Sequence, residues 1–225
     1  MKSRNEPMYP TFTYHVYNKA VGKENLFRSD SDYSWFLSRV KRSLLPYCDI
    51  LAYCLIPNHF HFLIRVRCDK EIATNYMKIC SEKHISVPES QGPVLIIRQS
   101  LRGLFTAFAK YYNAKYNRKG KLFEFSYRRI TVENESYFRN LLLYIHHNPI
   151  HHGLSNDIRD WKYSSFNAFI SDKASLISRK FVLDWFEDQN EFLNFHQCTE
   201  NQHISPELLI EESTSNLKIT CLTAP

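Results

Sequence analysis

The stretch Leu55-Ile56-Pro57-Asn58-His59-Phe60-His61-Phe62-Leu63-Ile64 decides how the rest of the chain reads. Its aromatic and β-branched residues favour strand, and Pro57-Asn58 marks a turn. Side chains alternate across a strand, so His59 and His61 share one face while Phe60 takes the other, which must be buried. Two imidazoles held side by side on a rigid strand form half of a metal site. Neutral imidazole suits Zn, Mn, Fe, Ni or Cu, and Mg or Mn fits where oxygen ligands are added. Taken alone, a His-x-His pair also fits a solvated strand face. A second constellation, much later in the chain, changes the weighting.

That constellation is Tyr144-Ile145-His146-His147-Asn148-Pro149-Ile150-His151-His152-Gly153. Residues 135–143 read as a helix running into it, with Phe138, Leu141, Leu142 and Ile145 at helical spacing. Asn134 or Ser136 is placed to cap its start, and Pro149 and Gly153 to end it. Tyr144 and Asn148 lie four apart and share a face, so a phenol oxygen and an amide oxygen project together. The other histidines, His146, His147, His151 and His152, read mostly as surface residues at a helix end, where protonated imidazole is favoured.

Around these two segments, residues 11–19 alternate as a strand and 30–46 as a helix, capped by Ser29 or Asp30. Residues 49–56 and 59–67 read as strands joined at Pro57-Asn58, and 69 to about 83 as a second helix. Residues 84–97, with Pro88 and Gly92-Pro93, read as a loop, 98–117 as a long amphipathic helix, and 122–132 as a strand. This order predicts an α+β ferredoxin-like fold, an antiparallel sheet with helices packed on it. Residues 176–196 look helical, and the tail from about 197 is polar. The expected division is 1–169 as the main domain and 170–225 as a C-terminal helical extension.

The composition allows one good core: 225 residues, 44% hydrophobic, with only 5 Gly. Charge is unevenly placed. Residues 98–130 hold nine Lys or Arg against one acid, Glu124, whereas 184–212 carry eight acids and no Lys or Arg. A polyanion is the natural partner of the central block, and the 14 Tyr and 16 Phe include candidates for stacking on unpaired bases. The six cysteines (Cys48, Cys54, Cys68, Cys80, Cys198, Cys221) show no Cys-x-x-Cys spacing, which fits free thiols in a reducing compartment. No signal peptide and no apolar run near the ~18 residues of a membrane span is visible, so a cytoplasmic location is expected.

Taken together, the two histidine-bearing segments resemble the HUH single-tyrosine nucleases, and more closely the IS200/IS605-like and REP-associated tyrosine transposases. The resemblance is carried by Tyr14-His15-Val16-Tyr17-Asn18-Lys19-Ala20 with Leu26-Phe27, and by the 55–64 strand. It continues through Gly120-Lys121-Leu122-Phe123-Glu124 with Tyr127-Arg128, Tyr144-Ile145-His146-His147-Asn148-Pro149, and Trp161-Lys162-Tyr163-Ser164-Ser165. The matching segments run in order over roughly residues 12–169. The resemblance implies Tyr144 as nucleophile, His59 and His61 as ligands of a divalent metal (Mg²⁺ or Mn²⁺), and Asn148 as third ligand where some relatives carry Gln. It implies cleavage and rejoining of single-stranded DNA beside a hairpin through a 5′-phosphotyrosine link, by a monomer or a homodimer. The grip on DNA is expected from Lys115, Tyr116, Arg118, Lys119, Lys121, Phe123, Tyr127, Arg128 and Arg129. Two competing readings are a hairpin-DNA-binding protein of the same fold that no longer cuts, and a metalloenzyme acting on small phosphoesters. The basic, aromatic central block weighs against the last, because a small substrate needs no such surface.

Overall fold

The computed structural model describes residues 6–86 and 91–197. Strand β1 (Thr13–Lys19) leads into helix α1 (Asp30–Leu44), and the hairpin β2 (Cys48–Ile56) and β3 (His59–Val66) follows. Helices α2 (Asp69–Glu82) and α3 (Pro93–Lys115), strand β4 (Arg128–Thr131) and helix α4 (Glu135–His151) come next. Three short helices end the described chain: α5 (Phe166–Phe169), α6 (Arg179–Leu183) and α7 (Gln189–Gln197). The sheet order is β2-β3-β1-β4, every neighbour antiparallel. This is the α+β ferredoxin-like sheet the alternation predicts.

β3 is central and covered on both faces. On one side Phe60 and Phe62 meet Phe36 of α1 at 5.1 and 6.2 Å between ring centroids, and Phe60 stacks on Phe105 of α3 at 5.6 Å. On the other side α4 lies against the histidines, with the Tyr144 ring 5.3 Å from that of His61. Directly opposed residues of antiparallel strands share a face. Tyr17 opposes His61 and Lys19 opposes His59, so the histidine face continues onto β1.

Four boundaries differ from the sequence reading, each for a physical reason. α3 starts at Pro93, because Gly92 is its N-cap and Pro93 occupies the first turn, where a missing N–H costs nothing. Residues 87–90, with Pro88, lie outside the described residues. The 122–132 strand shrinks to β4, with Phe123 making only an isolated bridge to Ala20. The 176–196 helix divides into α6 and α7. α4 runs through Pro149 to His151, and Gly153, just past the His152 C-cap, turns the chain with a left-handed φ of +63°. Leu154 N–H donates to Pro149 O and Gly153 N–H to Ile150 O, each at 2.9 Å, a Schellman closure. The tail from 198, with Cys198 and Cys221, lies outside the described residues. Cys48, Cys54, Cys68 and Cys80 are free thiols.

The segment after 169 joins the same hydrophobic cluster as the sheet. Ser178 N–H donates to Ile50 O at 2.7 Å, Trp185 stacks on Phe138 at 4.8 Å, and Arg139 pairs with Glu191 at 2.5 Å. It also buries a histidine pair. His146, read from sequence as a surface residue, is fully buried with its Nδ1 2.8 Å from His196 Nε2 and its Nε2 2.9 Å from Ser165 Oγ. The reason is rotational: residue 146 points away from the Tyr144/Asn148 face and into the gap that α7 closes. Burial holds both rings neutral, His146 well below its ordinary range and His196 at about 3. A folded-state pKa below the unfolded one means stability is complete above the unfolded pKa of ~6.5 and declines as pH falls below it. This pair should therefore cost about 3 kcal/mol of stability at about pH 5.5 relative to neutral pH. Because His15, His59 and His61 are also held neutral by burial, urea denaturation of wild type and of His146→Phe/His196→Phe at the two pH values measures it by difference, and an equal pH dependence in both would show that the pair protonates in the folded state.

Candidate functional site

α4 crosses the histidine face so that its buried Asn148 meets β3. Asn148 Oδ1 lies 3.1 Å from His59 Nε2, and the Tyr144 ring, one turn earlier, sits edge-on to His61 at 79°. The two strand histidines are 5.0 Å apart between centroids. Thus His59, His61, Tyr144 and Asn148, which lie up to 89 positions apart in the chain, come together in one place. The Tyr144 ring is only 2% exposed, so it is shielded from solvent in this arrangement.

The protonation pattern around His59 is informative. Its Nδ1 lies 3.0 Å from Asn58 Oδ1 and its Nε2 3.1 Å from Asn148 Oδ1. A neutral ring carries one proton and cannot donate to both carbonyl oxygens. Neutrality is enforced: burial first, then the charges of His152 and Lys19, push the pKa down to about 3 against the raising effect of Asn148. His61 is held well below its ordinary range by burial and the neighbouring imidazoles. If the proton sits on Nδ1, toward Asn58, then Nε2 and Asn148 Oδ1 present lone pairs to each other at 3.1 Å. Two cis ligands of one ion with bonds of about 2.1 Å stand about 3 Å apart, so the separation fits a shared cation. Asn148 Nδ2 is buried with no hydrogen-bond partner, consistent with a side chain oriented for its oxygen. Among the described residues no three His, Cys, Asp or Glu side chains group around a metal-sized space, so a cation here relies on the amide as its third donor.

One site residue escaped the sequence reading. His15 on β1 is fully buried, with its Nε2 3.0 Å from His61 Nδ1 and its ring stacked on Tyr17 at 4.9 Å. Burial holds it neutral, at about 3. The signal was the alternation of 13–19, which puts His15, Tyr17 and Lys19 on one face, but nothing in one strand says that this face meets His61.

The residues expected to grip DNA divide sharply. Phe123 and Tyr127 are buried and pack against Phe105, so neither ring is available to stack on a base. Lys115 and Tyr116 are engaged by Asp32, at 2.6 and 2.7 Å. Burial alone would raise that carboxyl, but Lys115, Tyr116 and the Arg28 and Ser29 donors outweigh it and hold it at about 2. These two residues therefore fasten α3 to α1, while Lys115 stays exposed to solvent. Arg118 pairs with Glu24 at 2.7 Å and donates to Lys121 O at 2.7 Å, which shapes its own loop. Lys121 is exposed and donates to Glu124 O, and Lys119 is exposed at the loop tip. Arg128 lies 3.6 Å over the Phe125 ring and Arg129 4.9 Å over Tyr127, both at the β4 edge and half-buried. Among the described residues no helix is long and apolar enough to cross a membrane.

No family model matches the chain, and no curated protein matches it. Among solved structures it is similar to a REP-associated tyrosine transposase bound to a REP hairpin, with 14% identity and a TM-score of 0.52. The match covers 76% of this chain and 87% of that one. At this identity the likeness is one of fold: the four-stranded antiparallel sheet with packed helices is the fold of that transposase.

Proposed function

We propose that the protein is a metal-dependent endonuclease and strand transferase for single-stranded DNA flanking a hairpin, with Tyr144 as nucleophile. The observation that carries this reading is the convergence of His59, His61 and Asn148 beside the Tyr144 ring, with His59 Nε2 and Asn148 Oδ1 facing each other. The transposase of similar fold is bound to a hairpin, which supports the same class of partner here.

His59, His61 and Asn148 would hold a divalent cation, Mg²⁺ or Mn²⁺. Such an ion, when bound, polarises a phosphate oxygen and stabilises charge developing on it. The rest is done by the chain. The Tyr144 phenol releases its proton to solvent as its oxygen attacks phosphorus, an O–P bond forms, the P–O3′ bond breaks, and the departing 3′ oxygen takes up a proton from solvent, so the count of protons is unchanged. The phosphotyrosine link retains the ester, so a second 3′-hydroxyl can displace Tyr144 and join strands without another energy source. His61 binds through Nε2 only if its proton is on Nδ1. His15 Nε2 must then accept that proton's hydrogen bond, which makes His15 a positioning residue for the ligand tautomer.

The burial of Tyr144 favours one alternative, a hairpin-binding protein that no longer cuts. Tyr144→Phe separates the two. With labelled hairpin-flanked single strands and Mn²⁺, wild-type protein should give a covalent adduct stable to denaturation, and Y144F none while still binding DNA. No adduct from wild type on any hairpin substrate, or an adduct that survives in Y144F, would sink the assignment.

The ligand set predicts a graded series. His59→Ala and His61→Ala should each abolish most Mn²⁺ binding and cleavage, and Asn148→Ala should do so less, a neutral amide being the weakest donor. EDTA should stop cleavage. His15→Leu should weaken Mn²⁺ binding roughly 10–100-fold, with partial recovery in His15→Gln, whose carbonyl can still accept from His61 Nδ1–H. Calorimetric Mn²⁺ titration reads this independently of activity, and unchanged affinity in H15L would remove the positioning role.

A further inference from the structure

Three basic residues that take no part in the scaffold contacts fall on one line. Arg98, Arg102 and Lys110 are exposed on the outer face of α3, and among the described residues they form no ion pair. With Thr106 they recur every four residues, a stripe of about 18 Å along the helix. Two adjoining clefts follow it. One, of 580 Å³, is lined by Arg98, Arg102, Ser126 and Arg129, and the other, of 410 Å³, by Gln99, Arg102, Gly103, Thr106 and Lys110. No acidic side chain lines either.

Gly103 sits in the middle of this trough, in a helix interior where glycine is a poorer choice than alanine. A Cβ there would meet nothing within 4 Å, so packing inside the protein does not call for glycine. The missing side chain leaves the trough floor bare at this point.

β4 connects the trough to the site. Arg128 opposes Tyr17, which opposes His61, so Arg128 is on the histidine face two strands away, about 10 Å from His61. That is the rise of about three stacked nucleotides. The next residue, Arg129, points to the opposite face and lines the trough. A chain leaving the site over the β4 edge thus meets Arg128, Arg129, Arg98, Arg102 and Lys110 in succession. Turning from one sheet face to the other within one strand's width is open to a flexible single strand and closed to duplex, whose persistence length is ~150 base pairs.

We propose that the β4 edge and the α3 trough form a track for the phosphodiester backbone of the single strand that extends from the site. This rests on the strand-cleaving reading for the identity of the strand. The test is binding, measured by fluorescence anisotropy on the full chain in EDTA, so that neither metal nor cleavage contributes. Probes are mixed-sequence single strands of about 30 and about six nucleotides, and a duplex of about 30 base pairs. In Arg98→Gln/Arg102→Gln, affinity for the long single strand should fall roughly tenfold or more, and its log–log salt slope should shrink by about 1.4, two contacts at ~0.7 each. The short strand should bind as before, and the duplex should lose far less. Gly103→Leu, which keeps every charge, should weaken the long strand while leaving melting temperature unchanged or raised. An unchanged slope in the arginine variant overturns the track. So does an equal loss on the short strand, which would place the cations at the site, or on the duplex, which would make this a duplex surface. If no covalent adduct forms on any substrate yet these effects hold, the cleaving reading fails and the track stands.

Discussion

Strand β3 is flanked by β1 and β2 and covered by helices on both faces, so every one of its side chains has to be matched by a neighbour. Its phenylalanines are matched by α1 and α3, as apolar surface always can be. Its histidines cannot be matched by hydrocarbon, because a buried ring nitrogen needs a partner. They are answered by His15 across the sheet and by Asn148 from α4. The remainder of the site follows from this requirement. Asn148 has to lie over His59, which sets the helix across the sheet, and Tyr144 one turn back then has to lie over His61.

The same requirement makes the site neutral. Three imidazoles kept unprotonated by burial present lone pairs, whereas surface histidines would be partly charged near pH 6.5. Positive charge is displaced to the rim and beyond, to Lys19, Arg128 and Arg129 and the outer face of α3. The segment from 170 to 197 contributes at a distance: α7 closes over His146 and so backs the helix that carries Tyr144 and Asn148.

Local charge was a poor guide to exposed charge. The nine cations of residues 98–130 look alike in sequence. In the fold, Asp32 and Glu24, which lie some 80 to 94 positions earlier, claim Lys115 and Arg118. Phe123 and Tyr127 were attractive as stacking platforms because they sit among cations, but they face a core of other aromatics. Whether an aromatic ring packs or is presented depends on what lies across from it, and no local pattern records that.

The sequence by itself determined the alternation that separates His59 and His61 from Phe60, the helical spacing that aligns Tyr144 with Asn148, and the strand–helix order of the sheet. These are consequences of periods of two and 3.6, which act between near neighbours. Its errors came where local signals compete: Gly92-Pro93 opens a helix as readily as it makes a loop, and Pro149 is tolerated inside α4. Only the tertiary structure decided that β1 supplies His15, that His146 turns inward to His196, and that Arg98, Arg102 and Lys110 share the outer face of α3 without an ion pair among the described residues. Each of these depends on which elements meet, and that is set by burial summed over the whole core, which no single segment contains.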